Sequence, residues 1–176
     1  MPYPERIETE RLVLRRWRDE DADDHAAIWA QPEIWSALRP EPSGDPTDTA
    51  AKSFVRMIDH WERNGFGLWA TIDPADDDVI GWVGAWYPDF VPAVAGEIEI
   101  GWTLHPDYWG RGLATEGARA AIDAAFSHLQ PARLISLIAP GNARSIAVAT
   151  RLGMNAASQA VSRDGVTLRV YELPAP

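Results

Sequence analysis

Cysteine is absent from this chain of 176 residues. A protein without cysteine has no disulfide bond, no thiolate nucleophile and no metal site built on sulfur ligands. Histidine is scarce as well, and none of its four copies shows a metal-binding spacing such as H-E-x-x-H. We therefore predict that the protein holds no metal ion and uses no cysteine in its chemistry. The four histidines are His25, His60, His105 and His128.

Basic residues are also few. Sixteen lysines and arginines stand against 26 aspartates and glutamates, which gives a formal net charge of -10, and Lys52 is the one lysine. Nucleic acids and anionic membranes are recognised through basic surfaces. The acidic balance therefore argues against both as the main partner, although a small anionic ligand in a local pocket is still compatible with it.

Long hydrophobic runs are missing too. No stretch approaches the ~18 apolar residues that a membrane-spanning helix requires. The start of the chain, MPYPERIETER, lacks the apolar core of a secretory signal. We therefore expect a cytoplasmic protein with no membrane partner. Hydrophobic residues make up 46% of the chain, so it can bury a sizeable core, and its length fits a single domain spanning residues 1–176.

What the chain does contain is a regular succession of strand-like and helix-like segments. Their periodicity predicts the order β-αα-β-β-β-α-β-α-β-β, with no repeat and no internal domain boundary. Predicted strands cover 11–17, 66–74, 79–88, 97–105 and 132–140, with a hairpin in 156–173; predicted helices cover 18–31, 49–65, 113–129 and 142–153, and 39–48 is a predicted loop.

A glycine-rich turn, HPDYWGRGLATEG (105–117), joins the fourth predicted strand to the next helix. It lacks the lysine of a P-loop and the third glycine of a dinucleotide fingerprint, since Thr115 stands there. A simple tight connection is one explanation. The other is an anion site, because free N–H groups and the helix dipole attract anions and Arg111 adds a positive charge.

Two segments resemble known motifs. EIGWTLHPDYWGRGLATEGARAAIDAAF (99–126) is similar to motif A of the GNAT superfamily of acyl-CoA-dependent N-acetyltransferases, and NARSIAVATRLGM (142–154) resembles its motif B. ETERLVLRRWRDEDADD, near the start, resembles the subgroup of the ribosomal-protein alanine N-acetyltransferases. The resemblance implies a three-layer α/β (α+β) fold. Its central sheet is mixed and mostly antiparallel, with about six or seven strands and helices on both faces, and it splays at two central parallel strands.

The resemblance implies a binding site for acetyl-CoA. The family motif [QR]-x-x-G-x-[GA] ends on Gly112, Leu113 and Ala114, while Trp109 stands where the family has Gln or Arg. Backbone N–H groups of the turn would hold the pyrophosphate, and strand N–H groups would bind the thioester carbonyl. The implied coenzyme-binding residues are Trp102, Thr103, Leu104, Arg111, Gly112, Leu113, Ala114, Thr115, Asn142 and Ser145.

Acetyl transfer to an amine requires a base, because a primary amine is mostly protonated at neutral pH. Glu97 and Glu99 alternate on the predicted strand and so share a face. Either carboxylate can accept the proton, directly or through a water. Glu99 is the favoured base, because it matches the E-I-G-[YW] segment of the subgroup that the chain resembles. A solvent-exposed face explains the pair equally well. Gly101 is predicted to form the β-bulge where the strands splay.

The departing thiolate gains from a proton donor. Many family members use a motif B tyrosine, and the aligned position here is Ala149. Ser145 is the predicted substitute and Tyr171 a remote second. Asn142 is explained by helix capping or by contact with the coenzyme, while Arg144 and Arg151 are explained by coenzyme phosphates or by ordinary surface charge.

The resemblance therefore predicts transfer of an acetyl group from acetyl-CoA to a primary amine, by direct attack in a ternary complex. The acceptor is a small molecule or a protein N-terminus, and a homodimer is an open alternative. A non-catalytic acyl-CoA-binding or regulatory module is the second hypothesis, because the motif B tyrosine is missing. A nucleotide-binding protein with a degenerate glycine loop is the third.

Overall fold

The computed structural model describes residues 1–38 and 45–176. Its centre is one eight-stranded sheet in the order β1-β2-β3-β4-β5-β6-β8-β7, in which only β5 and β6 run parallel. The predicted mixed, mostly antiparallel sheet is thus confirmed, with one strand more than expected, since residues 6–8 pair with the strand that follows them. The strands are β1 (Arg6–Glu8), β2 (Val13–Arg15), β3 (Leu68–Asp73), β4 (Asp78–Trp86), β5 (Glu99–Leu104), β6 (Arg133–Ile138), β7 (Asn155–Val161) and β8 (Thr167–Pro174).

Helices cover both faces of the sheet, as predicted. One face packs against the small apolar residues of α4 and the apolar side of α5. The other packs against α1, α2 and α3, through residues such as Ile28, Ile34 and Phe54. Within the two described ranges, none of the helices is both long and apolar enough to cross a bilayer. The helices are α1 (Ala22–Trp29), α2 (Pro32–Leu38), α3 (Pro46–Asn64), α4 (Leu113–His128) and α5 (Ala143–Arg151).

The longest helix, α3, ends where its sequence predicts. Gly65 closes it with φ 72°, a left-handed conformation that glycine adopts without strain. Its start lies three residues before the predicted one, because the Asp45 side chain accepts a hydrogen bond from Thr47 N–H (2.8 Å) and Pro46 suits a first turn. Residues 39–44 of the predicted loop lie outside the described residues, and 46–48 are helical.

The sheet opens between its two parallel strands. β5 pairs with β4 over six residues but with β6 at a single position, Glu99 with Ile135. The predicted splay is therefore confirmed. The prediction of a bulge at Gly101 is wrong, because Gly101 faces Gly84 in an unbroken register. β5 diverges from β6 without any inserted residue.

Candidate active site

Two cavities meet at the splayed strands. The first, which we call the α4 cavity, measures about 1240 Å³ and lies against the start of α4 and one side of α5. The second, the α3 cavity, measures about 680 Å³ and lies between α3 and strands β4 to β6. Four residues predicted from the sequence line both cavities and so mark their junction. They are Trp102, Thr103, Asn142 and Ser145.

The turn before α4 presents unpaired backbone donors to the α4 cavity. Gly112 is the helix N-cap, with φ 80° and no side chain bonded to the cap. The first intrahelical bond runs from Glu116 N–H to Gly112 carbonyl (3.0 Å). The preceding N–H groups, which have no intrahelical acceptor, belong to predicted site residues that all line the cavity. These are Leu113, Ala114 and Thr115.

This turn is held by the segment that joins β1 to β2. Arg11 donates from Nη1 to the Arg111 carbonyl and from Nε to Glu116 Oε2, each at 2.8 Å. Thr9 Oγ1 donates to Glu116 Oε1 at 2.6 Å. Together these three hydrogen bonds hold the turn and the first turn of α4 against the segment that joins β1 to β2. Sequence reasoning missed this bond network, because its partners lie about a hundred residues apart.

Positive charge gathers on the α4 cavity although the chain as a whole is acidic. Four arginines line it, against three carboxylates, and Arg11 engages one of those carboxylates, Glu116. Arg144 lies 4.4 Å from the centroid of the Trp109 ring, and Trp109 Nε1 donates to the Leu104 carbonyl at 2.7 Å. Trp109 thus connects α5 to the end of β5. The four are Arg111, Arg119, Arg144 and Arg151; sequence reasoning did not single out Arg119.

Alternate amides of β5 face the gap between the strands. Two donors on β6 show which side of the strand this is. The Ile98 carbonyl, just before β5, accepts from Ile135 N–H at 2.9 Å, and the Ile100 carbonyl accepts from the Ser136 hydroxyl at 2.6 Å. Because backbone groups alternate between the two neighbours of a strand, Trp102 and Leu104 share that side. Their N–H groups lie where β6 has diverged, whereas Thr103 is turned toward β4. Two of the three predicted carbonyl-binding amides are therefore placed at the gap.

Glu99 lies where β5 and β6 part. Its side chain is 6% exposed and accepts hydrogen bonds from Trp86 Nε1 (2.9 Å) and from Leu137 N–H (3.1 Å). Burial raises the pKa of Glu99 to about 7, against the opposing effect of those two donors and of Arg56. A carboxyl group with such a pKa can accept a proton near neutral pH.

Glu97 lies two residues before β5 begins, where the sequence predicted strand, and it lines neither of the two cavities. Its carboxylate accepts from Arg133 Nη2 at 2.7 Å, and Arg133 also binds Glu172. We expect this partly exposed ion-pair cluster to tie the ends of β5, β6 and β8 together. His105 likewise has a local partner, since its Nδ1 accepts from Asp107 N–H (3.3 Å).

Asn142 and Ser145 occupy the first turn of α5. The Asn142 side chain caps the helix by accepting from Ser145 N–H at 3.1 Å. Ser145 itself lines both cavities. Ala149 is fully buried in the core, and Tyr171 belongs to the same core cluster. Among the described residues, no three histidines or acids form a group that would hold a metal ion.

Residues 11–155 match the family model for the acetyltransferase (GNAT) domain. The chain therefore belongs to the GNAT family of acetyltransferases, as the resemblance of its two motifs predicted.

Known relatives agree with this assignment. The N-acetyltransferase p20 of Bacillus licheniformis is 32% identical over 81% of this chain and 78% of its own. An acetyltransferase of Agrobacterium tumefaciens superposes with a TM-score of 0.81 at 30% identity, over 96% of this chain and 93% of the other. The ribosomal-protein-S5-alanine acetyltransferase of Vibrio fischeri shares the fold alone, with a TM-score of 0.73 at 19% identity over 97% and 96% of the two chains.

Proposed function

We propose that the protein transfers an acetyl group from acetyl-CoA to a primary amine by direct attack in a ternary complex. The observation that carries the proposal is the junction at β5. An amide-rich cavity with four arginines meets a second cavity that contains a buried carboxylate with a raised pKa. The α4 cavity suits a phosphate-bearing acetyl donor, and the α3 cavity, with its carboxylate, suits an amine that must lose a proton.

In this proposal the α4 cavity binds coenzyme A. The amides of Leu113, Ala114 and Thr115 bond the pyrophosphate oxygens, and the arginines supply the charge compensation that a metal ion supplies elsewhere. The pantetheine arm would enter the gap between β5 and β6, where the Trp102 and Leu104 amides bond the thioester carbonyl as its oxygen gains charge.

The acceptor amine approaches from the α3 cavity. Glu99 takes a proton from the ammonium group, and the neutral nitrogen attacks the thioester carbon. A C–N bond forms, the C–S bond breaks, and the second nitrogen proton passes to the departing sulfur through the Ser145 hydroxyl. A thiol with a pKa of about 8.5 is a good leaving group, so a weak donor such as serine suffices.

Binding of the coenzyme is tested first, by thermal unfolding. Acetyl-CoA binds only the folded protein, so a concentration of 100 times Kd is expected to stabilise it by about 2.7 kcal/mol and to raise Tm. ATP and NAD at the same concentrations serve as controls. A protein stabilised by ATP or NAD but not by acetyl-CoA would contradict the proposal and favour the nucleotide hypothesis.

Catalysis is tested separately, because a non-catalytic acyl-CoA-binding module would also be stabilised. We expect free thiol to be released from acetyl-CoA in the presence of an amine, in a screen of amino acids, aminoglycosides, polyamines and peptides. Coenzyme binding without thiol release across that panel would favour the regulatory alternative.

The Trp86 indole is expected to set the pH at which Glu99 becomes active. Its N–H bonds the carboxylate and lowers its pKa, opposing the effect of burial. Trp86→Phe removes this donor, so the acid limb of kcat/KM should move to higher pH, with activity regained in alkaline buffer. Trp82→Phe is the matched control, four residues earlier on the same strand. An identical acid limb in wild type and Trp86→Phe would rule out this role.

A further inference from the structure

The hydrogen-bond ladder between β5 and β6 ends after one pair. Ile135 N–H donates to the Ile98 carbonyl at 2.9 Å, within the pairing of Glu99 with Ile135. In a parallel ladder the bonds are evenly spaced, so the next one would run from Leu137 N–H to the Ile100 carbonyl. The register of the two strands stops before that bond. The sheet therefore opens where one particular backbone hydrogen bond is not made.

Both backbone groups of that bond are paired with side chains instead. The Ile100 carbonyl accepts from the Ser136 hydroxyl at 2.6 Å, and Leu137 N–H donates to Glu99 Oε1 at 3.1 Å. Each side chain comes from the strand opposite the group that it binds. Glu99 on β5 binds a donor of β6, and Ser136 on β6 binds an acceptor of β5. The sheet thus opens without leaving either of these backbone groups unpaired.

This exchange keeps the two strands apart. Paired strands lie about 4.8 Å from each other, because N–H and C=O bond directly. A hydroxyl or a carboxylate between the backbones adds its own length to each connection. β6 is thereby held away from β5 immediately before the Trp102 and Leu104 amides, which the proposed function assigns to the thioester carbonyl.

Ser136 is the polar exception in an otherwise apolar stretch of β6. The strand reads RLISLI, and Leu134, Ile135 and Ile138 are buried. Ser136 itself is 2% exposed. A buried hydroxyl costs free energy unless it is hydrogen-bonded, so what this one adds to the strand is its bond to the Ile100 carbonyl.

A closed ladder is the arrangement that competes with the open one. Without the hydroxyl, the Ile100 carbonyl would lose its partner in a fully buried part of the strand, which is costly. Leu137 N–H is the donor that an ordinary ladder would supply, and its bond to Ile100 would draw β6 toward β5. The same movement would take from Glu99 one of the two donors that lower its pKa.

We propose that Ser136 is a positioning residue for acetyl transfer. Its hydroxyl keeps open the gap that the pantetheine arm enters, and it leaves Leu137 N–H to bind Glu99. Ser136 acts through the two strands and contacts neither acetyl-CoA nor the amine. This role rests on the proposed acetyl transfer and adds one residue to it.

Binding of the whole and the truncated coenzyme tests the role in the gap. 3′-phospho-ADP, the nucleotide half of coenzyme A, would occupy the α4 cavity alone, whereas acetyl-CoA must also place its arm between the strands. Ser136→Ala should weaken acetyl-CoA binding about threefold to tenfold, the range for one hydrogen bond, and leave the Kd of the nucleotide unchanged. Calorimetry measures both constants. Ser136→Cys keeps a weaker donor, so it should fall between the two, and it serves if the alanine variant does not fold.

Ser53→Ala is the matched control for the loss of a buried hydroxyl. Ser53 also lines the α3 cavity and is 4% exposed, but its hydroxyl has no hydrogen-bond partner within the described part of the chain. Both Kd values should therefore stay at the wild-type level in this variant. An equal loss of affinity for acetyl-CoA and for the nucleotide in Ser136→Ala would indicate general damage and overturn the role in the gap, as would an unchanged ratio of the two.

The pH profile tests the role toward Glu99. Ser136→Ala should move the acid limb of kcat/KM to higher pH, because the carboxylate loses Leu137 N–H. Trp86→Phe should move that limb as well but keep the wild-type ratio of Kd values, since Trp86 lies on β4. An unchanged acid limb in Ser136→Ala would overturn this second role. If the wild type binds no acetyl-CoA, the proposed function itself fails; if the wild type binds and transfers and Ser136→Ala matches it throughout, the positioning role alone fails.

Discussion

Glu99→Gln is expected to lower kcat/KM by a factor of about 10²–10⁴, the usual contribution of a general base. The glutamine amide cannot accept the ammonium proton, although it matches the carboxylate in size. In the wild type, kcat/KM should rise with pH as the carboxylate ionises, with a midpoint near its pKa of about 7, and activity should fall below that pH. The variant should lose this limb and follow only the ionisation of the acceptor amine. Steady-state thiol release across a pH series measures both effects.

Two controls accompany the Glu99→Gln experiment. The first asks whether the variant is folded, and the second asks whether loss of a carboxylate near the start of β5 is enough to lower activity. A folded-state pKa raised above 4.5 means that the folded protein binds this proton more tightly, so Glu99 lowers stability as pH rises from 4.5 to about 7. Glu99→Gln removes that loss and should leave Tm at pH 8 unchanged or higher. Glu97→Gln, two residues away in the ion-pair cluster with Arg133, should keep most of its activity. A Glu97→Gln variant as impaired as Glu99→Gln would contradict the assignment of the base.

The backbone conformation of the turn before α4 was predictable because its glycines and the helix start are contiguous in the sequence, whereas the distant bonds from Thr9 and Arg11 that hold it were not. Gly110 and Gly112 take positive φ values, Arg111 lies between them, and the helix begins directly afterwards. Free N–H groups at a helix start follow from helix geometry alone. The succession of β2 to β8 along the chain was predictable for a similar reason, since each of these strands carries its own alternation or apolar run, whereas the three-residue β1 was missed.

The different surroundings of the two glutamates were not predictable from their local pattern. The alternation of the sequence places both on one face of a predicted strand, and only the match of Glu99 to the E-I-G-[YW] segment of the subgroup favoured Glu99 as the base. What separates them is tertiary: Arg133 reaches Glu97 across 36 residues, whereas Glu99 receives Leu137 N–H across 38 and the Trp86 indole across 13. Such partners come from other strands, and a local pattern carries no information about them. Gly101 shows the same limit, because a glycine in a strand signals either a bulge or a need for space, and only the observed strand register excludes the bulge.

Gly112→Val is expected to weaken acetyl-CoA binding at least tenfold and to lower thiol release in proportion at subsaturating acetyl-CoA. Gly112 has φ 80° at the start of α4, so a branched side chain there strains the backbone at a cost of about 1–3 kcal/mol. Relief of that strain would turn the amides of Leu113 and Ala114 away from the pyrophosphate, and the side chain itself would occupy the cavity wall. The Kd for acetyl-CoA, measured by calorimetry, reports the effect directly.

Strain alone has to be separated from damage to the site. Gly65→Val is the matched control, because Gly65 has φ 72°, ends α3 and has no atom within 4 Å of an added Cβ. Both variants should lose similar unfolding free energy in urea, but only Gly112→Val should lose affinity for acetyl-CoA; Gly112→Ala serves if the valine variant does not fold. Equal affinities in wild type and Gly112→Val would show that the phosphates bind elsewhere. In that case the arginines of the α4 cavity would have to bind the phosphates of acetyl-CoA without the amides at the start of α4. The pantetheine arm would then need a different route to the gap beside Glu99.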